Sequence, residues 1–244
     1  MSTKPGIVFA HGLWADGSCF SKVIELLQAD GFECIATQNQ LNTVEDDAAA
    51  VRTSLSRVSS PAVLVGHSYG GTVITIAGTD ERVGALVYIC ALAPEDGESS
   101  QADQDKFPQT PVFQHIEIVD GRIFMKPSGT ADFCGDLSED EQKLVFATQG
   151  APLADLFSQP VRGAAWKSKP TFYIVGADDR TVQPDLERFV AKRMNAKVTE
   201  LQSSHVPMLS QPQRVYEVIK EAALAASQDT TQVQQQQQPS PALA

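Results

Sequence analysis

Positive charge is scarce in this 244-residue sequence: 19 lysines and arginines stand against 30 aspartates and glutamates, for a formal net charge of −11. Nucleic-acid binding needs clustered cations to meet phosphates, so the balance argues against that class of function. Long hydrophobic runs are also missing. No stretch of about 18 apolar residues occurs, which excludes a membrane-spanning helix. The start, Met1-Ser2-Thr3-Lys4-Pro5, leads into an apolar segment too short for a signal-peptide core and followed by no small-residue cleavage site, so cytoplasmic residence is expected. Cysteine is sparse. Cys19, Cys34, Cys90 and Cys134 form no C-x-x-C pair, and in their apolar contexts they read as buried, reduced and inert. The four histidines have no metal-ligand spacing with them, so neither a metal site nor a cofactor is expected. What remains, 42% hydrophobic and 20% charged, is the balance of a globular protein, long enough for one large domain or a core with a modest insertion.

Short apolar runs alternate with amphipathic segments, the pattern of parallel strands joined by helices. Strands are expected at Ile7–Ala10, Phe32–Ala36, Ala62–Val65, Ala85–Ile89, Thr171–Val175 and Lys197–Leu201. The run Ala62–Val65 is apolar throughout, as suits a central strand buried on both faces. Helices are expected between them. One carries Phe20, Val23, Ile24 and Leu27, with Ser18 as its cap and Gly31 at its end. A second opens at Thr43 and carries Val44, Val51, Leu55 and Val58. Others cover Thr72–Ala77, the segment with Leu186, Phe189 and Val190, and the segment Val215–Ala223.

Between Pro94 and Trp166 the rhythm changes. Ile116–Val119 and Arg122–Met125 flank Asp120-Gly121, a hairpin with a two-residue turn. Ser138 with Glu141 forms a capping box that opens a helix to about Thr148. Six of the eleven phenylalanines (Phe107, Phe113, Phe124, Phe133, Phe146, Phe157) fall in this stretch, either lining a pocket under a lid or docking the insertion on the core. The expected division is therefore a core at 1–93 and 167–226, a cap at 94–166 and a disordered low-complexity tail at 227–244.

Gly66-x-Ser68-x-Gly70 follows the central strand and precedes a helix-compatible segment. By itself G-x-S-x-G is a weak signal, and this context strengthens it. A sharp strand-to-helix turn exposes the serine hydroxyl at the carboxyl edge of the sheet, beside a helix N-terminus that favours negative charge. Such a hydroxyl needs a base. The order serine, acid, histidine leaves His205, just after the strand ending at Leu201. His115 precedes the acid candidates and reads as a surface or hairpin residue, and His11 as a loop-holding group. The acid should follow Thr171–Val175, where Asp179 has the G-x-x-D-x-x-V placement and Asp178 is the alternative; one of the two is expected to cap or pair with Arg180. The oxyanion donors are expected to be the backbone N–H of Tyr69 and that of Leu13, in the loop after the first strand. Trp14 reads mainly as a packing residue.

Together, His11-Gly12-Leu13-Trp14-Ala15-Asp16-Gly17, Gly66-His67-Ser68-Tyr69-Gly70-Gly71, Gly176-Ala177-Asp178-Asp179-Arg180-Thr181 and Ser204-His205-Val206-Pro207 resemble the α/β-hydrolase superfamily. The branch they resemble is the small bacterial and fungal esterases akin to plant methylesterases and hydroxynitrile lyases. The resemblance implies an α/β-hydrolase fold, a mostly parallel sheet flanked by helices, with a cap inserted after the strand at Ala85–Ile89. It also separates reactions. Hydroxynitrile lyases carry a threonine where Gly12 stands and a lysine where Val206 stands, and dehalogenases carry an aspartate where Ser68 stands. The expectation is a serine hydrolase cleaving a small-molecule carboxylic ester through an acyl-enzyme, with Ser68, Asp179 and His205 as triad and Leu13 and Tyr69 as oxyanion hole. A lyase using the same triad and a non-catalytic receptor on the same fold are the alternatives. No nucleic-acid or membrane partner is expected, and self-association into a homodimer is left open.

Overall fold

A computed structural model describes residues 4–236. The chain opens with β1 (Gly6–Ala10), α1 (Ser21–Ala29), β2 (Cys34–Thr37), α2 (Val44–Leu55), β3 (Ala62–His67), α3 (Tyr69–Ala77) and β4 (Val83–Ile89). It then leaves the sheet through α4 (Ser100–Gln104), the hairpin β5 (Ile116–Val119) and β6 (Arg122–Met125), α5 (Thr130–Cys134) and α6 (Glu139–Ala147). It returns through β7 (Thr171–Gly176), α7 (Pro184–Arg193), β8 (Lys197–Leu201), α8 (Pro207–Ser210) and α9 (Pro212–Gln236).

The main sheet runs β2-β1-β3-β4-β7-β8, and every neighbouring pair is parallel. Parallel strands need crossovers, and these bury the sheet; every residue of β1, β3 and β7 is buried. Each fully buried Val, Leu or Ile contributes about 1.5–3 kcal/mol, so the central strands hold the domain together. The two middle tyrosines, Tyr88 and Tyr173, stack with ring centroids 6.1 Å apart. α9 packs on β3, β4 and α1, while α2 packs with α3 on β1 and β3. The outer strand β8 keeps Lys197 and Glu200 on its surface, charges that discourage edge-to-edge pairing.

Strand order reverses at β1, since β2 lies on one side and β3 on the other. In open parallel sheets a ligand crevice forms at such a switch point, beyond the carboxyl ends of the strands. The loops that leave β1 and β3 are the Gly12-Leu13 and Ser68-Tyr69 segments. β4 and β7 pair directly, Tyr88 opposite Tyr173, so everything between them is inserted beside the sheet. That insertion contains the expected hairpin, with Asp120 and Gly121 both at positive φ, and the Ser138–Glu141 capping box.

Four local expectations are corrected. The cap before α1 is Asp16, whose side chain accepts from the Ser18 N–H, and a tight 3₁₀ turn at Gly17–Phe20 precedes the helix. α2 ends at Leu55, so Val58 lies beyond it, in the linker to β3 and close against Gly6. α3 starts at Tyr69 rather than Thr72 because the Gly70-Gly71 pair, poor in helix propensity, is required by close backbone approach. α9 continues to Gln236, across part of the stretch expected to be disordered from Ser227, since glutamine is a good helix former and extends a helix already anchored by Val215, Ile219 and Ala222. Residues 237–244 of the expected tail lie outside the described residues. Among the described residues no helix is long and apolar enough to cross a membrane. The four cysteines are free thiols, three of them buried.

Candidate active site

β3 delivers the chain to Ser68 at φ 55° and ψ −124°, a region that strains any residue with a Cβ. The surroundings hold it there. Its N–H donates to Ile89 O (3.0 Å), and its carbonyl accepts from Gly71 N (3.0 Å) and Leu92 N (3.1 Å). Glycine is needed on both sides for steric reasons. A Cβ at Gly66 would lie 2.5 Å from Gly70 O, and one at Gly70 would lie 2.0 Å from Ala10 O. The motif spacing is thus the footprint of an elbow pressed against β1.

The loop after β1 meets that elbow. A Cβ on Gly12 would lie 2.6 Å from Ser68 Cβ and 3.1 Å from Ser68 Oγ. His11 holds the loop: its Nε2 accepts the Asn39 N–H (2.9 Å), so its Nδ1 donates to Gly12 O (2.9 Å), and Asn39 Nδ2 donates to His11 O (2.8 Å). Burial lowers the His11 pKa and keeps the ring neutral. Among the described residues, neither the Leu13 N–H nor the Tyr69 N–H has a protein acceptor. Two unspent donors therefore flank Ser68. Trp14, at φ 54°, packs as expected and donates from Nε1 to Ile123 O (3.0 Å), and its ring also lines the cleft above Ser68.

Asp179 and His205 come together in the buried interior. His205 Nδ1 donates to Asp179 Oδ2 at 2.6 Å, and Asp179 Oδ1 accepts from Thr181 N (2.7 Å) and Val182 N (2.9 Å). With both oxygens bound, the carboxylate cannot rotate. Asp178 is exposed and takes no part. The expected pairing of Arg180 with one of these two aspartates is also corrected: Arg180 Nε reaches Asp132 Oδ1 at 2.6 Å, across to the insertion. His115 sits at that rim, with Nδ1 against Ser128 Oγ. His205 Nε2 is buried without a partner among the described residues, so no hydrogen bond joins it to Ser68. Ligand-free sites often leave this bond long. Potential ligand atoms of Cys90, Asp179 and His205 lie within 4.8 Å of one another, but an ion there would have to displace the Asp179–His205 bond.

Several positioning groups carry no motif of their own. His67 Nε2 donates to His205 O (2.8 Å) and its ring lies 4.6 Å from the His205 ring, linking the elbow to the histidine loop. Burial, and secondarily the neighbouring His205, hold the His67 pKa well below its usual value. Phe133, from the insertion, packs edge-on against His205 (5.0 Å) and Trp14 (6.3 Å). Asp136, also from the insertion, accepts from Ser204 N (3.0 Å) and Ser203 Oγ (3.1 Å) and so fixes the loop ahead of His205. Buried Asp47 accepts from Tyr69 OH (3.0 Å) and from Gln40 N (2.8 Å), tying the elbow helix to the loop that holds His11. The sequence cues to these were that His67 lies inside the serine motif and that Phe133 belongs to the aromatic-rich insertion.

Above Ser68 lies a cleft of about 600 Å3, part of it open to solvent. Leu13, Trp14, Phe113, Ile116, Ile123, Leu153, Phe157 and Val182 make it apolar, with Gln101 and Gln104 at one end. Those glutamines also border an outer, more polar region with Gln109, Asp105 and Gln183. Neither region is lined by a lysine or arginine. Of the six phenylalanines in the insertion, Phe113 and Phe157 line the inner cleft and Phe107 the outer region, while Phe133 docks.

The reversing parallel sheet, the strained serine elbow and the acid–histidine pair at its carboxyl edge define an α/β protein of the hydrolase type. The chain belongs to the alpha/beta hydrolase family, whose sequence profile matches residues 7–218. It is 27% identical to a probable hydrolase, R7, of Phoma sp., over 91% of this chain and 99% of that protein. It is 22% identical to Methylesterase 8 of Arabidopsis thaliana, over 86% of each chain. Its fold matches the crystal structure of a pyrethroid hydrolase with a TM-score of 0.78 at 22% identity, covering 93% of this chain and 100% of that one.

Proposed function

We propose that this protein hydrolyses carboxylic esters by nucleophilic catalysis, with Ser68 as nucleophile, His205 as general base and acid, and Asp179 as its orienting carboxylate. One observation carries the reading: His205 is fixed by Asp179 at 2.6 Å through Nδ1 with its Nε2 left unspent, and its ring lies 4.6 Å from that of His67, the residue just before a serine held at φ 55°. Similarity to esterases and hydrolases supports the choice of an ester bond.

The chemistry follows from those atoms. Nε2 accepts the Ser68 proton as Oγ attacks the ester carbonyl, and Asp179 stabilises the imidazolium. The oxyanion takes hydrogen bonds from the Leu13 and Tyr69 N–H groups, donors with no competing acceptor. His205 then protonates the departing alcohol, leaving an acyl-Ser68 ester, and activates water to release the acid. The apolar, cation-free cleft favours uncharged esters whose apolar part lies beside the carbonyl. Gly12 and Val206 weigh against cyanohydrin cleavage, since hydroxynitrile lyases carry a threonine and a lysine in their places.

The test is Ser68→Ala with Asp179→Asn. Ser68→Ala should lose all detectable turnover of an activated ester and all labelling by a fluorophosphonate, while Asp179→Asn should lose on the order of 10⁴ in kcat. Full activity in Ser68→Ala would refute the mechanism, and failure of the wild type to label would favour the receptor reading.

A further inference from the structure

The loop that carries the Leu13 N–H is bonded to the insertion as well as to the core. In the hairpin, hydrogen-bonded and non-hydrogen-bonded pairs alternate outward from the two-residue turn, so at Ile123, opposite Ile118, the backbone N–H and C=O point away from β5. Both are taken up on that side. The N–H donates to Pro152 O at 2.9 Å, and the C=O accepts from Trp14 Nε1 at 3.0 Å. Residues 149–153 form a strap between the hairpin and the loop. On the loop side, Gly150 O accepts the Trp14 N–H at 2.8 Å, and the Gly150 N–H donates to Ala15 O at 3.2 Å. On the hairpin side, Arg122 Nη1 donates to Ala151 O at 2.7 Å, and the Gln149 side chain bonds the Met125 N–H at 2.9 Å and its carbonyl at 3.2 Å. Trp14 is the residue bonded to both partners, to the strap by its main chain and to the hairpin by its indole. It is buried and sits at φ 54°, where residues with a Cβ are strained and persist only when their surroundings over-determine them.

These bonds bracket one donor. The peptide joining Gly12 to Leu13 has its carbonyl fixed from the core side by His11 Nδ1 at 2.9 Å. The next peptide N–H, that of Trp14, is fixed from the insertion by Gly150 O. Between the two anchors lies the Leu13 N–H, which has no protein acceptor among the described residues. A preorganised donor is worth most when it need not move as charge develops. We propose that Trp14 is a positioning residue for the oxyanion: by tying strap and hairpin to the loop, it holds the Leu13 N–H in place, so that the insertion completes the oxyanion hole as well as covering the cleft. The catalytic effect rests on the serine-hydrolase reading, whereas the clamp itself does not.

Trp14→Phe keeps a ring and removes the Nε1 donor. Gly150→Ala leaves Trp14 and the lining of the cleft unchanged, but its Cβ would lie 2.9 Å from Ala15 O and 3.0 Å from Leu41 Cδ1, so strap and loop must part. The first measurement is amide hydrogen exchange by mass spectrometry on wild type and both variants. Peptides spanning residues 12–16 and 149–153 should exchange at least about tenfold faster in the variants, with β3 unchanged. No acceleration, or one shared equally by β3, would overturn the clamp whether or not the protein cleaves esters. The second measurement compares p-nitrophenyl acetate with its thiono analogue, whose sulfur accepts hydrogen bonds poorly and so gains little from an oxyanion donor. On the ester, kcat should fall about tenfold or more in both variants, and Gly150→Ala should leave KM within about twofold of wild type. The thionoester should lose much less, so the ratio of the two kcat values drops about tenfold. Wild-type kcat on the ester, or equal losses on both substrates, would refute the positioning role. Absence of Ser68-dependent turnover in the wild type would instead refute the serine-hydrolase reading and the positioning role with it, and leave the clamp to the exchange data. Where one variant fails to fold, the other carries both measurements.

Discussion

Gly12 offers a demanding test of the site because its role is purely steric. Replacing it with alanine adds one methyl group whose carbon would lie 2.6 Å from Ser68 Cβ, 3.0 Å from His67 O and 3.1 Å from Ser68 Oγ. Carbon atoms rest about 3.5–4.0 Å apart, so roughly 1 Å must be found by moving either the elbow or the loop that carries the Leu13 N–H. The elbow cannot yield easily, being held by Ile89, Gly71 and Leu92 backbone bonds and by Gly70 against Ala10 O. The loop must therefore move, and the proposed oxyanion donor moves with it. A misplacement of about 1 Å costs on the order of 10²-fold, similar to losing one oxyanion donor. Gly12→Ala should thus lower kcat/KM about 10²-fold, or about 2.7 kcal/mol in the barrier, and lose about 1–3 kcal/mol of stability to overpacking. Initial rates with p-nitrophenyl acetate, the rate of fluorophosphonate labelling and urea unfolding measure the three consequences. A folded Gly12→Ala protein with kcat/KM within about threefold of wild type would refute the account of loop and elbow.

Two further outcomes follow from burial. His67 is neutral in the fold, its pKa held well below 6.5 by burial, whereas an unfolded histidine binds a proton below that value. The unfolded state then binds more protons, so stability is lost as pH falls through 6.5, by up to about 1.4 kcal/mol per unit until the folded pKa is reached. Wild type should lose about 1 kcal/mol relative to His67→Gln between pH 6.5 and 5.5 in urea titrations, since the unfolded histidine is half protonated at the upper end; parallel curves would contradict it. Ester substrates should also divide by charge: one ending in a carboxylate should react at least about tenfold more slowly than its neutral amide counterpart, because no cation in the cleft offsets its desolvation. Equal kcat/KM values would show that the distal end never enters.

By itself the sequence determined everything that a local pattern can encode. The run Ala62–Val65, apolar at every position, suited a strand covered on both faces and is one, and the order serine, acid, histidine is chain order, legible without coordinates. The Asp120-Gly121 turn and the Ser138–Glu141 box depend on residues a few positions apart, and both formed. Element ends were less legible. The helix after Ser68 was expected from Thr72 and starts at Tyr69, because the purpose of Gly70-Gly71, clearance from Ala10 O and Leu92 O, lies on other segments.

Tertiary structure decided whatever depends on distant segments meeting. Asp178 and Asp179 differ little as letters; one is exposed, and the other is the one whose oxygens meet Thr181, Val182 and His205. Arg180 found Asp132, a partner from the insertion that no spacing rule links to it. Burial likewise makes His11 and His67 neutral rings that hold the loops of the site, because desolvation is a property of a place in the fold and not of a position in the chain.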